Sequence, residues 1–292
     1  MRATGQAWRA TALAPAVLVY ALLALLPIAN LLVMSVHDIR WEDGIAQWTA
    51  VGPRHFAALL GDPLLRAGTI NTIVFAVVSV ALEMIIGLAL ALMVSRARFG
   101  ALAYRTIFIL PILIPGIVIG AIWKLMYNPD FGIINQLLGV IGLTGQDWLG
   151  DTRLALASVI VVDVWHWTPF VFLLLLAAVE SLPRDVEEAA RIDGAGPWQT
   201  FRYITLPLLL PALTVTLAFR LIVSFKVFDE VYLLTGGGPG TATEVVSFSI
   251  YRRFFTEDRM GYGSAISVAT LFVLALFIVL MLGVARRREH RR

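Results

Sequence analysis

Six stretches of helical length carry almost no charge: about Thr11 to Ser35, Thr72 to Ser95, Tyr104 to Met126, Leu154 to Ser181, Leu206 to Phe225 and Ser264 to Val284. Crossing the hydrocarbon core of a bilayer takes about 20 apolar residues in a helix, because lipid satisfies no backbone N–H or C=O. Each stretch reaches that length, so the expected fold is an all-α membrane protein with six transmembrane helices. A β-barrel would show alternating segments of about ten residues, whereas these runs are continuous in Leu, Ala, Val and Ile. With 59% of the 292 residues hydrophobic and 15% charged, against about 25% charged in a soluble domain, little chain remains for a soluble catalytic domain.

The first stretch is longer than the roughly 7–15 apolar residues of a signal peptide and is expected to be an uncleaved span. Orientation follows the positive-inside bias. One side gathers Arg2, Arg9, Arg96, Arg98, Arg105, Arg184, Arg191, Arg202 and the tail arginines; on the other, twelve acids from Asp38 to Asp258 offset the basic residues. Both termini are therefore expected in the cytoplasm, as an N-terminal segment 1–10 and a basic tail 285–292 around a six-helix transmembrane domain 11–284. Trp8, Tyr104, Trp198 and Tyr203 fall at inner boundaries and Trp123, Tyr127 and Trp148 at outer ones, where amphipathic rings anchor. The basic balance of +3 is spread along short loops, which points away from nucleic acid. The chain has no cysteine and four scattered histidines, which excludes disulfides and thiolate chemistry and gives no zinc motif.

One polar segment stands apart, Leu182 to Pro207, between the fourth and fifth spans. Arg184 to Ile192 contains good helix formers with Asp185, Glu187 and Glu188 near its start, where the helix dipole favours acids. Gly194 suits the left-handed residue that ends such a helix. Pro197 suits the first turn of a second short helix to about Tyr203, and Pro207 the first turn of the fifth span. Ala189 and Ala190 offer a flat surface and Glu188 a directed charge, which reads as a docking element. The alternative, a helix resting on lipid, gains little from a loop with four acids and three arginines.

Glu188, Ala189, Ala190, Gly194, Ile204, Leu206 and Pro207 together resemble the EAA signature of permease subunits of bacterial ABC importers. Asn128 to Leu138 (NPDFGIINQLL), Trp148-Leu149, Trp167 to Phe170, Phe228-Asp229 and Tyr232 to Pro239 (YLLTGGGP) are similar to the carbohydrate-uptake branch that includes the maltose and glycerol-phosphate permeases. The resemblance implies a type I importer permease fold in the bacterial cytoplasmic membrane. It further implies that Glu188, Ala189, Ala190, Asp193 and Gly194 couple to a partner ATPase, with Glu188 pairing a basic group there. The implied assembly holds a second permease subunit, two copies of an ABC ATPase and an extracytoplasmic substrate-binding protein, all around membrane lipid. ATP and magnesium would belong to the ATPase, and this chain would need no cofactor of its own. A P-loop requires Gly-Lys-Ser/Thr, and neither lysine, Lys124 or Lys226, follows a glycine. The glycines from Gly236 to Gly240 are expected to form a turn.

Ionisable residues within spans are costly and mark pathways or pair with one another. In the fourth span Asp163, His166, Trp167 and Phe170 recur at i, i+3, i+4 and i+7, which places a carboxylate, an imidazole and two aromatic rings on one face. Carboxylates accept hydroxyl hydrogen bonds and rings pack on a pyranose, so such a face suits a sugar. In the fifth span Arg220, Val223, Ser224 and Val227 repeat the spacing. Asp163 and Arg220 either line a substrate path or pair with each other or with Glu83; an unpaired Arg220 would suit an anionic sugar. A membrane-embedded enzyme and a standalone secondary carrier are the alternatives. Ser79, Asp163 and His166 supply the residue types of a triad without a G-x-S-x-G elbow, and a carrier has no use for a cytoplasmic docking loop.

Overall fold

The computed structural model describes residues 2–96 and 101–289. Of the basic positions read from the sequence, Arg98 and residues 290–292 of the tail lie outside the described residues. The chain divides into two compact units, Met1–Asp62 with Ser249–Ala275, and Pro63–Phe248 with Leu276–Arg292.

The first unit opens with helix α1 (Arg2–Ser35), whose 24 residues from Ala12 are long and apolar enough to span a bilayer. Strands β1 (His37–Glu42) and β2 (Ile45–Ala50) follow as an antiparallel hairpin with Glu42 opposite Ile45. Among the described residues this hairpin is the one departure from the expected all-α fold, which is otherwise helical. Asp43 and Gly44 have φ of 51° and 77°, the two left-handed residues of the tight turn whose twist matches paired strands. After α2 (Arg54–Leu59), His55 approaches the His37 carbonyl at 3.3 Å and Asp38 at 3.2 Å. Asp62 accepts hydrogen bonds from Arg253 at 3.0 Å and the Tyr262 hydroxyl at 2.8 Å. Tyr262 lies in the last helix, which runs Met260–Glu289 and leaves the unit after Ala275.

The second unit is built on α3 (Pro63–Ser95), α4 (Ala101–Ile109), α5 (Gly116–Met126), α6 (Ile133–Val140), α7 (Ala155–Glu180), α8 (Arg184–Ile192), α9 (Pro197–Thr200), α10 (Leu206–Ser224) and α11 (Asp229–Leu234). The 104–126 stretch, expected as one span, is a broken pair bent by 95°. Pro111 and Pro115 explain the break. Proline removes a backbone donor and pushes the preceding residue out of the helical region, and Ile114 is extended at φ −88°, ψ 127°. Among the described residues, five helices are thus long and apolar enough to cross a membrane, or up to six if the bent pair counts as one span. The chain is a multi-pass membrane protein.

Helices α3 and α7 form the main packing pair, with Ala91 and Val94 against Val171, Phe172 and Leu175. Gly87 makes this approach possible, since a Cβ there would stand 2.7 Å from Val171 Cγ1 and 3.1 Å from the Phe172 backbone nitrogen. Without a hydrophobic drive between helices in lipid, such close backbone contact is a principal source of association. Gly87→Leu is expected to force α3 from α7, at a cost of about 1–3 kcal/mol typical of overpacking. The check is the thermal midpoint of the purified protein in detergent, which should fall and partly recover with Val171→Ala; an unchanged midpoint would refute the contact.

Candidate functional site: a polar cavity and a capped polar loop

Spacing on α7 does place Asp163, His166 and Trp167 together, and the end of α10 meets them. A cavity of about 360 Å³ is lined by these three residues with Val223, Ser224, Lys226, Val227, Phe228, Asp229, Glu230 and Gly116. Pro169 lies within α7 and is buried without breaking the helix. Phe170 turns elsewhere and packs on Phe219 with ring centroids 4.8 Å apart.

Arg220 lies behind the cavity wall and is fully buried. Its Nε and Nη2 donate to the two Glu83 oxygens at 2.5 and 2.6 Å, and Nη2 also donates to Asp163 Oδ2 at 3.0 Å. The guanidinium sits 4.6 Å from the Trp167 ring centre, within cation–π range. Arg220 is therefore paired, so the premise that suited it to an anionic sugar does not hold. Asp163 binds Arg220 and also lines the cavity. The fork geometry of arginine lets one cation serve carboxylates from two helices, and the cluster ties α3, α7 and α10 together.

Glu230 was not singled out by the sequence. Its Oε1 lies 3.3 Å from His166 Nδ1, both side chains being buried. Lys226 and Asp229, at the mouth, were also missed as lining residues. The available signal was the polar run from Lys226 to Glu230 directly after a span, whose offset from α7 no helical period could set. Helix α11 is held from below: Leu233 packs where a Gly120 Cβ would stand 2.8 Å away, and Lys124 Nζ donates to the Leu233 carbonyl at 2.9 Å. The glycine run beyond it is a turn, with positive φ at Gly236, Gly237 and Gly240. Asn71 of α3 pins this turn by donating to the Thr241 and Glu244 carbonyls, each at 2.9 Å. The Ser224 hydroxyl is buried and has no hydrogen-bond partner among the described residues.

The polar loop 182–207 forms α8 with the expected limits. Gly194 has φ +83°. Ala195 N donates to Ala190 O at 2.9 Å and Gly194 N to Arg191 O at 3.1 Å, the paired bonds of a Schellman ending. Glu188 and Ala189 are exposed, Asp193 caps the exposed end and Ala190 is buried. Glu187 faces inward, where its Oε1 accepts from Thr205 Oγ1 at 3.2 Å. The expected separate helix to Tyr203 is corrected: Pro197–Ser224 runs as one helix through a π turn at Phe201–Thr205. Pro207 lacks the N–H for a regular bond back to Tyr203, and one wider turn absorbs the mismatch.

The structure thus combines apolar helices, one pair of them broken, with a polar cavity and a capped polar loop. Residues 83–291 match the family model described as binding-protein-dependent transport system inner membrane component. The chain belongs to that family, whose members are permease components rather than ATPases. It is 38% identical over 276 residues to the trehalose/maltose transport system permease protein MalF of Thermococcus litoralis, covering 94% of this chain and 92% of that protein. It is 30% identical over 283 residues to the lactose transport system permease protein LacF of Rhizobium radiobacter, covering 94% and 93%. The fold matches a chain in the crystal structure of a bacterial alginate ABC transporter in complex with an alginate pentasaccharide-bound periplasmic protein, with TM-score 0.84, 24% identity, and coverage of 98% and 96%.

Because Arg220 is buried with two carboxylates, removing it alone is expected to cost about 3–5 kcal/mol, the range for breaking a buried ion pair. Arg220→Met should lower the thermal midpoint steeply. Glu83→Leu and Asp163→Leu added to it should restore most of the loss, and a single variant of wild-type stability would show that the cluster does not hold the helices.

Proposed function

We propose that this chain is one of two permease subunits of an ATP-driven importer that moves a sugar, sugar derivative or polyol across the bacterial cytoplasmic membrane. The observation that carries the substrate class is the cavity, where Asp163, His166, Ser224 and Glu230 present hydrogen-bonding groups beside the Trp167 ring. The unsatisfied Ser224 hydroxyl gains most from a polyhydroxylated ligand, because a buried polar atom left without a partner is costly. The names of the trehalose/maltose and lactose relatives support the same class. Phe170 and Arg220 support the wall of the path, and Val223 and Val227 give it apolar surface.

In this reading the chain crosses the membrane six times, with the bent α4–α5 pair as the third crossing and both termini in the cytoplasm. Domain 11–284 is the permease body, and the loop 182–207 faces the ATPase. Glu188, Ala189, Ala190, Asp193 and Gly194 form the coupling element. Two ATPase copies bind ATP and magnesium, and an extracytoplasmic binding protein delivers substrate; the alginate transporter with its periplasmic protein supports a partner of that kind. Support for docking comes from exposed apolar groups beside Glu188: Ile192 is 86% and Trp198 71% exposed. Such surface needs cover, and depletion of charge with aromatic anchoring is typical of interface cores.

Affinity capture of the tagged chain in mild detergent should recover a P-loop ATPase and a second permease; recovery of the chain alone, even after crosslinking, would overturn the assignment. Glu188→Lys is expected to leave membrane insertion intact, weaken ATPase retention and abolish uptake. A well-expressed Glu188→Lys importer with normal uptake would remove Glu188 from the coupling role. Gly194→Val places a β-branched residue at φ +83°, a strain of about 1–2 kcal/mol. It should uncouple ATP hydrolysis from transport, measured as basal hydrolysis without substrate stimulation in proteoliposomes.

A further inference from the structure

Between Tyr127 and Ala155 the chain leaves α5 and returns as α7, and from Phe131 to Gly145 it carries no charged residue. Helix α6 occupies the middle of this connection. At 100° per residue, Ile133, Leu137, Val140 and the following Ile141 fall on one arc about 100° wide. All four are exposed, Leu137 by 60%, Val140 by 83% and Ile141 by 69%. Ile134 and Leu138, on the neighbouring arc, are half-buried.

This face is held rather than frayed. Asn135 Nδ2 donates to the Pro129 and Gln146 carbonyls at 3.2 and 2.9 Å, while its Oδ1 accepts from Gln146 N at 3.0 Å and Trp148 Nε1 at 2.8 Å. Trp148 packs on Tyr127 with ring centroids 5.9 Å apart, and Tyr127 packs on Trp123 at 5.3 Å. Tyr127 also donates to the Ser158 carbonyl of α7 at 3.2 Å. The aromatic cluster thus joins the C-terminal end of α5 to the N-terminal part of α7 and continues into α6 through Asn135.

We propose that the segment from Phe131 to Leu143 is an interfacial anchor, with the Ile133, Leu137, Val140 and Ile141 face of α6 lying in the outer lipid leaflet at the headgroup–acyl boundary. Three observations select lipid over a protein partner. Tryptophan and tyrosine concentrate at the membrane–water boundary, and the cluster bearing both types lies at the base of this helix. That cluster sits where α5 ends at Met126 and α7 begins at Ala155, so the base of α6 lies at the ends of two apolar helices. Its lack of charge offers a hydrophilic external protein nothing to steer or register its docking, whereas an amphipathic helix binds an interface through buried apolar area. The anchor fixes the depth of α5, on which α11 and the cavity mouth rest.

Because the chain has no cysteine, single-cysteine variants report position directly. Leu137→Cys and Gln136→Cys would be labelled with a nitrobenzoxadiazole fluorophore, assembled with cysteine-free partner subunits and reconstituted in phosphatidylethanolamine–phosphatidylglycerol vesicles. The label at position 137 should emit at shorter wavelength, be quenched by doxyl-labelled lipid and resist iodide; the label at position 136 should show the reverse. Ile141→Cys provides the same readout if Leu137→Cys does not assemble. Iodide quenching at both 137 and 141 would overturn the proposal. Shielding from both quenchers would place the face against a permease subunit, and shielding that appears only on adding binding protein would place it there; either result also overturns the lipid assignment.

Discussion

The cavity depends on one buried guanidinium. Arg220 is fully enclosed, and charge at that depth persists only when paired and hydrogen-bonded. Glu83 supplies two oxygens from α3 and Asp163 one from α7, so three helices must keep their relative rotation and height for the charges to remain satisfied. Apolar contacts alone would tolerate sliding, since lipid solvates leucine as well as a neighbouring helix does. The ion cluster supplies the register that packing around Gly87 does not specify by itself.

That constraint also settles the geometry of the cavity wall. With one Asp163 oxygen held by Arg220, the carboxylate cannot swing freely, and its face toward the cavity is fixed. His166 is one helical turn further along α7 and meets Glu230, which extends the polar wall from the bundle to α11. Lys226 and Asp229 then place opposite charges at the mouth. In the proposed transport reading, the rigid wall binds hydroxyls while α11, held by Lys124 and the Gly120 contact, borders the opening.

Sequence legibility followed the range of the interactions. The limits of α8 and its glycine ending were readable because caps, dipole and left-handed residue all act within a few positions. The α7 face was readable for the same reason, as helical period brings Asp163, His166 and Trp167 together. Which partner Arg220 takes was not, because Glu83 is 137 positions away and no local rule chooses between it and Asp163. The bend at Pro111 and Pro115 and the Asp43-Gly44 hairpin left local signals that hydropathy overrode: a run long enough to span was taken as continuous, and the external segment was read only for charge. Glu230 and Asn135 fall outside both categories, since each matters through contacts made after the chain has turned back.

The helix from Pro197 to Ser224 connects the polar loop to the cavity without a loop between them. Its first turn carries the exposed Trp198, and its last turns carry Arg220 and Ser224 beside the cavity. Glu187 of α8 braces Thr205 within the π turn, so displacement of α8 acts on this helix through a hydrogen bond as well as through the backbone. A regular helix would transmit such a push as rigid-body motion, but the π turn and Pro207 place a compliant joint near its N-terminal end. Motion beyond that joint meets the ion cluster, where shifting α10 alone would strip Arg220 from carboxylates on two other helices. The lower-cost response is for α3, α7 and α10 to move as one body, which converts a push on a short surface helix into displacement of the entire cavity wall.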